Sequence, residues 1–313
     1  MTGPGAAAQR NRLAVSGARA TTQAMLGSQP RGDVIRNGSF ACLLLLAVAI
    51  ALAGLIALLV QAFAEGSSAL GAGLFTNPPS TAFPEQAGFR PAIIGSLELI
   101  AGVILFVVPV GIGAAIYLEE LADRTRWWNR MIEVNIQNLA AVPSIIYGIL
   151  GLAFIVRGPA DLGFILAAGS LTLSLLVLPM VIIASREAIR AVPASIREGS
   201  LALGATRWQT IRRQVLPASI PGMATGVILA VSRALGETAP LLLVGATVFI
   251  TFDPTPFSSD GYSALPVQIF NYAVRPQEEF QALAAAGIIV MLVVLLAMNS
   301  FAIWLRNRFE QRW

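Results

Sequence analysis

The chain has 313 residues, 56% hydrophobic and only 12% charged, with a formal net charge of +4. So apolar a composition excludes an ordinary soluble domain and places the chain among integral membrane proteins. All 21 basic residues are arginine, histidine is absent and Cys42 is the sole cysteine. These absences exclude a P-loop lysine, histidine-based triads and zinc motifs, and any disulfide framework or thiolate metal cluster.

Residues 1–39 are rich in Ala, Gly, Ser and Arg with little periodicity, and are expected to form a mostly disordered cytoplasmic tail. A spanning helix needs about 20 predominantly apolar residues. Six such segments follow: Phe40–Ala64, Ala92–Leu118, Gln137–Val156, Leu162–Ala184, Ile220–Ile250 and Ala282–Leu305. Ala62-Phe63-Ala64 resembles a signal-peptidase site, but the apolar stretch before it is longer than the 7–15 residues of a signal-peptide core, so the first segment reads as a retained span. Together the segments predict an all-α membrane protein with one transmembrane domain over residues 40–305 and a short tail at 306–313.

Arginine placement orients the chain. Seventeen arginines fall in the N-terminal tail, the second-to-third loop, the fourth-to-fifth loop and the C-terminus; only Arg90, Arg157 and Arg275 fall in the alternate loops. Both termini are therefore expected in the cytoplasm. All five tryptophans lie on the same side, as interfacial anchors do. The positive charge thus reflects topology rather than nucleic-acid binding. The outer loop at 65–91 reads as ordered turns. The Pro- and Asp-rich loop Phe252–Phe280 contains Leu265-Pro266-Val267-Gln268-Ile269-Phe270, expected as a short amphipathic helix on the outer surface. Neither loop is large enough to capture a solute alone.

The cytoplasmic stretch at about 192–217 carries two Ser/Thr-x-x-Glu/Gln patterns, Ser195 with Glu198 and Thr206 with Gln209, separated by Gly204. This predicts two short capped helices joined at a left-handed glycine and ending at Leu216-Pro217. Ile196, Leu201 and Leu203 supply an apolar face; Arg197, Arg207, Arg212 and Arg213 supply a basic one. Such a hairpin either lies on anionic lipid or docks a soluble partner.

Within the fifth span stand Arg233 and Glu237, four residues apart in Ser232-Arg233-Ala234-Leu235-Gly236-Glu237-Thr238-Ala239-Pro240. Helical spacing puts both on one face. Intramembrane charges cost about 2.5–3.5 kcal/mol each on insertion scales and so point to function. An arginine fork engages oxyanions bidentately, and Glu237 would hold it in place when no anion is present. A structural ion pair locking helix packing is the alternative. Pro240 leaves the Gly236 carbonyl unpartnered and predicts a kink. Glu98 in the second span and Arg186 at the end of the fourth are weaker candidates; Arg186 is expected to snorkel towards the cytoplasm. Gly222 and Gly226 form a GxxxG pattern able to face another subunit.

Glu198-Gly199-Ser200, then Gly204, then Leu216-Pro217 resembles the EAA loop of bacterial ABC importer permeases, departing at Gly199, Ser200 and Gln214. The resemblance extends over residues 70–305 to permeases of the phosphate-specific, PstA type. It is carried by Gly95-Ser96-Leu97, Val108-Pro109-Val110-Gly111-Ile112-Gly113, Tyr117-Leu118-Glu119, Pro143-Ser144-Ile145 and the segment Arg233 to Pro240. It implies the six-helix, MetI-like fold of type I importers. It also implies a phosphate path at Arg233, Glu237 and Thr238, and ATPase coupling through Arg197, Glu198, Leu201, Gly204, Arg207, Leu216 and Pro217. The implied partners are a PstC-like sister permease, a homodimeric PstB-like ATPase and a PstS-like phosphate-binding protein, alongside membrane lipid. No cofactor is expected in this chain, ATP and magnesium being used by the ATPase. Sulfate, molybdate and phosphonate remain alternative cargoes, since all are tetrahedral oxyanions. A lipid-phosphate enzyme would need a carboxylate cluster or an activated nucleophile, and the spans offer only Glu98, Arg233 and Glu237. A non-transporting scaffold that binds the ATPase is the third rival.

Overall fold

The computed structural model describes residues 31–123, 125–246, 249–256 and 261–309. The chain divides into two compact units, Met1–Gln61 and Ala62–Trp313. Of the expected tail, residues 1–30 and 310–313 lie outside the described residues. Helix α1 runs Arg31–Gly66, and its apolar side chains are exposed, Leu43 at 63% and Leu58 at 67%, as hydrocarbon solvent allows.

The second unit is a helical bundle. Helix α2 (Arg90–Ile116) starts with Pro91 in its first turn and carries Pro109 inside. Helices α3 (Trp127–Ala140) and α4 (Ser144–Leu150) follow, then α5 (Leu166–Arg190) with an internal Pro179. The hairpin expected at about 192–217 is α6 (Ala194–Ala202) and α7 (Arg207–Thr210). Helix α8 (Leu216–Gly236), α9 (Ala239–Leu243), α10 (Leu265–Ala273) and α11 (Glu278–Phe309) complete it. Neighbouring helices can satisfy the backbone groups that internal prolines free. Three π-helical turns extend these helices: Tyr117–Leu121, Gly151–Val156 and Ile211–Val215.

Among the described residues, five helices are long and apolar enough to cross a membrane, and six if the bent pair Trp127–Ala140 and Ser144–Val156 counts as one span. The expected third span is therefore broken by 108°. Pro143 is the cause: it precedes α4 with an extended ψ of 139° and cannot donate to continue α3. The fifth span does not run unbroken from Ile220 to Ile250 either. It is continuous from Arg207 through the π-turn to Gly236, breaks, and resumes as α9. The hairpin's second helix thus does not end at Leu216-Pro217, because Pro217 sits in the first turn of α8, where its missing N–H does no harm.

The core is the α2–α5–α8 contact, built from Leu99, Val103 and Val107, Leu173, Val177 and Val181, and Ala230, Val231 and Ala234. Gly222 and Gly226 belong to it. A Cβ on Gly226 would lie 2.3 Å from the Ala184 Cβ, and one on Gly222 2.7 Å from the Ala188 Cβ. The GxxxG pattern is therefore consumed by close approach of α8 to α5 within this chain, not offered to another subunit. At the other end of the bundle, Phe89 and Phe280 pack on Tyr272 at centroid distances of 5.2 and 5.5 Å. Helix α10 is not laid on the surface as its amphipathic pattern suggested. Leu265, Val267, Gln268, Ile269 and Tyr272 are all buried, because α10 packs into the bundle with Leu283, Ala286 and Val290 of α11.

Candidate functional site

Arg233 occupies the last turn of α8 and Glu237 follows the helix end, with φ −78° and ψ 122°. The pair is formed: Arg233 Nε donates to Glu237 Oε1 at 3.2 Å. The geometry differs from two residues on one continuous helix face. Glu237 has left the helix, and its carboxylate folds back onto the arginine. The Arg233 side chain is 46% exposed and that of Glu237 17%, so part of the guanidinium stays accessible. The break has a chemical cause. Pro240 removes one helical donor and stands in the first turn of α9, so the expected kink becomes a full interruption. Thr238 is the residue before α9; its carbonyl accepts from Leu242 N at 3.1 Å.

The second broken span meets the first here. Tyr147 is 5% exposed, donates to the Leu139 carbonyl across the α3–α4 break at 2.8 Å, and interacts electrostatically with Arg233. Ser232 is hydrogen-bonded to Asn299 of α11. Irregular backbone at membrane depth is tolerated where it is buried in protein or lines a cavity, and interrupted helices that meet at mid-depth are a pointer to a solute path. Tyr147 is not legible as a site residue in the sequence, since a lone apolar-flanked tyrosine carries no spacing signal. Glu98 is half-buried, with Oε2 buried and unbonded. Its charged neighbour is Asp253, itself held by a two-point contact with Arg90 at 3.2 and 2.7 Å. Among the described residues no ion pair joins Glu98 to Arg233.

The hairpin of α6 and α7 has the expected turn. Gly204 adopts φ +86°, and Thr206 and Gln209 form a reciprocal capping box, with bonds of 3.2 and 2.9 Å. The Ser195–Glu198 box does not form, because Pro193 takes the N-cap position and Ser195 lies inside the helix. Glu198, Leu201 and Trp208 are exposed, and Leu203 is 91% exposed, so the hairpin tip presents an apolar knob. Arg197 and Arg207 instead reach back to Glu120. Arg197 donates to Glu120 Oε1 at 3.0 and 2.7 Å, and Arg207 bonds the Glu120 carbonyl.

Arg186 does not snorkel: it is 7% exposed. It is paired with Glu133 of α3 at 2.7 Å and Glu119 at 3.5 Å, and Glu119 also binds Arg190 at 3.1 Å. Arg186, Arg190 and Glu133 border a cleft of about 230 Å³ with Arg130 and Asn129. Beside it, the Thr125 hydroxyl and amide both donate to Asp123, which holds that carboxyl below the ordinary aspartate range. Glu119, Glu120 and Glu133 carry no chemical signal in the sequence, because a carboxylate in a loop between spans is usually solvated.

Comparison with known proteins gives these geometries a context. The chain is 37% identical over 180 residues to the probable ABC transporter permease protein YqgH of Bacillus subtilis, a stretch spanning 56% of this chain and 57% of that one. It is 35% identical over 253 residues to the phosphate transport system permease protein PstA of Yersinia pestis, covering 79% and 82% of the two chains. A bacterial alginate ABC transporter, solved with an alginate-bound periplasmic protein, superposes with a TM-score of 0.64. That match has 17% identity over 91% of this chain and 99% of that one, which establishes the fold of ABC importer permeases. Residues 107–313 match the family model described as the binding-protein-dependent transport system inner membrane component, and the chain belongs to that family.

Proposed function

We propose that this chain is the PstA-type permease subunit of an ATP-driven phosphate importer. The Arg233–Glu237 pair, placed where one broken helix meets another, is the observation that carries the reading. A permanently charged, partly accessible fork suits a tetrahedral oxyanion. An adjacent carboxylate offsets the charge, so that the anion binds weakly enough to leave. The similarity to proteins named as phosphate transport permeases selects phosphate among the oxyanions. Thr238 lies beside the pair and would contribute its hydroxyl; Glu98 and Arg186 lie away from it.

The chain is a multi-pass inner-membrane component and not an enzyme; ATP hydrolysis belongs to a separate subunit. In our reading both termini face the cytoplasm, the second half of the path comes from a PstC-like permease, and phosphate arrives on a PstS-like binding protein. A PstB-like ATPase dimer, using its own ATP and magnesium, engages the knob formed by Leu201, Leu203 and Trp208. No cofactor is held by this chain. The test is radiolabelled phosphate uptake by phosphate-starved cells lacking the chain. Wild type should restore uptake and Arg233→Gln should not, while the complex still assembles and hydrolyses ATP. If wild type restores sulfate or molybdate uptake instead, the cargo assignment is wrong.

A further inference from the structure

We infer that Glu120, with its neighbour Glu119, is the latch through which movement of the cytoplasmic hairpin reaches the membrane helices. Consecutive residues on a helix point in different directions, and the π-turn Tyr117–Leu121 places these two at the cytoplasmic end of α2 with one carboxylate on each side. Glu119, with a side chain only 4% exposed, faces α5: Arg190 Nε and Nη2 donate to it at 3.1 Å each, and Arg186 lies at 3.5 Å. Glu120, 10% exposed at the side chain, faces the hairpin.

The second contact is built unusually tightly. Besides its two bonds to Glu120, Arg197 donates to the Val192 carbonyl at 2.6 Å and the Ile189 carbonyl at 2.8 Å. The Ile189 carbonyl lies in the last turn of α5 and that of Val192 just past it, at the negative end of the helix dipole. One guanidinium therefore joins α6, the end of α5 and the end of α2. Arg207, on the other helix of the hairpin, reaches the carbonyl of the same residue, Glu120. Both hairpin helices thus converge on a single position of α2. Ser200 and Thr210 are hydrogen-bonded at 2.9 Å and tie the two hairpin helices to each other. A soft loop would dissipate a push from the cytoplasm. This one is stapled to the ends of α2 and α5 through the largely buried, paired carboxylates of Glu119 and Glu120, so hairpin and helix ends move as one body.

The inference rests on the reading that the hairpin receives work from an ATPase, and it makes Glu120 a positioning residue rather than a contact of the solute or the ATPase. The test uses the whole reconstituted importer. Spin labels are placed at Ser195→Cys on α6 and Leu105→Cys on α2, with Cys42→Ser. The distance between them should form one narrow distribution, unchanged between the nucleotide-free and ATP–vanadate-trapped states. In Glu120→Ala it should broaden and shift on trapping, and in Glu120→Asp it should return towards wild type. In the same vesicles Glu120→Ala should still bind the ATPase and hydrolyse ATP, while phosphate carried per ATP falls about tenfold. A wild-type distance that itself shifts on trapping, a Glu120→Ala variant that transports normally, or loss of the ATPase from that variant would each overturn the latch. Wild-type vesicles that hydrolyse ATP without carrying phosphate would instead overturn the cargo reading, and the label distances would still judge Glu120.

Discussion

Gly148 and Pro240 touch where two broken spans meet: a Cβ built on Gly148 would stand 2.7 Å from the Pro240 Cα and 3.2 Å from its carbonyl oxygen. Those neighbours are backbone and cannot swing away. Gly148→Ala gains up to about 1 kcal/mol of helix propensity, but forced overpacking costs about 1–3 kcal/mol, so the loss wins. The variant complex should melt several degrees lower in detergent than wild type. Gly113→Ala is the control, since nothing lies within 4 Å of its Cβ position, and it should be neutral or slightly stabilising. Equal melting temperatures for the two variants would refute this packing.

The Arg233–Glu237 pair makes a prediction that separates path from packing. Arg233 is nearly half exposed, and as a partly solvated ion pair it contributes only about 0–1 kcal/mol to stability. Arg233→Gln should therefore leave the complex's yield and melting unchanged while phosphate uptake falls by about two orders of magnitude, as loss of a bidentate charge-assisted contact implies. Arg233→Lys should retain only a small part of the uptake, because an ammonium is a point charge without the planar fork. Uptake that survives in Arg233→Gln, or a complex that falls apart, would return the pair to a structural role.

These features differ in how far they could be read from the sequence. Spans and hairpin follow from hydropathy and cap chemistry, and Gly204 at φ +86° with the Thr206–Gln209 box is where the pattern predicted. The breaks trace to Pro143 and Pro240; the sequence predicts a kink at Pro240 but reads Gln137–Val156 as one span, and the extent of neither break is legible in it. A proline in hydrocarbon kinks or interrupts a helix according to what neighbours can satisfy, and that is decided by distant residues such as Gly148. Arg186 was placed in water by its position near the end of α5. Its burial depends on Glu119 and Glu133, 67 and 53 positions earlier in the chain, a pairing without local signal. Helix α10 shows the converse: its amphipathic pattern was real, yet its polar Gln268 is buried, so the pattern did not mark a water-facing side.

The hairpin's turn should be sensitive to its two end residues separately. Gly204→Ala forces a side chain into the left-handed region at a cost of about 1 kcal/mol, and Thr206→Ala removes an N-cap worth about 1 kcal/mol. The membrane bundle does not depend on either, so expression and detergent melting should hold. Capture of the ATPase by the immobilised permease pair should weaken, about fivefold for each change and more for both. Undiminished capture by the double variant would show that the hairpin tip is not where the ATPase engages.

The buried charge network ranks its own substitutions. Glu119 is 4% exposed at the side chain and holds both Arg190 and Arg186. Removing it in Glu119→Leu leaves the buried Arg186 with Glu133 alone, and an undercompensated buried charge costs about 3–5 kcal/mol. Arg186→Met should be milder. It leaves Glu119 paired with Arg190 at 3.1 Å, and Glu133, 40% exposed at the side chain, can turn to water. Arg190→Met should be milder still, because that arginine is 47% exposed. Glu187→Gln removes a surface pair three residues apart, worth at most about 1 kcal/mol. Thermal unfolding of the four variant complexes should therefore follow the order Glu119→Leu, Arg186→Met, Arg190→Met, Glu187→Gln, from least to most stable. The order is set by burial and by the partners left behind, not by the number of bonds lost. Glu187→Gln proving as damaging as Glu119→Leu would mean that these carboxylates act only through the net charge of the cytoplasmic face.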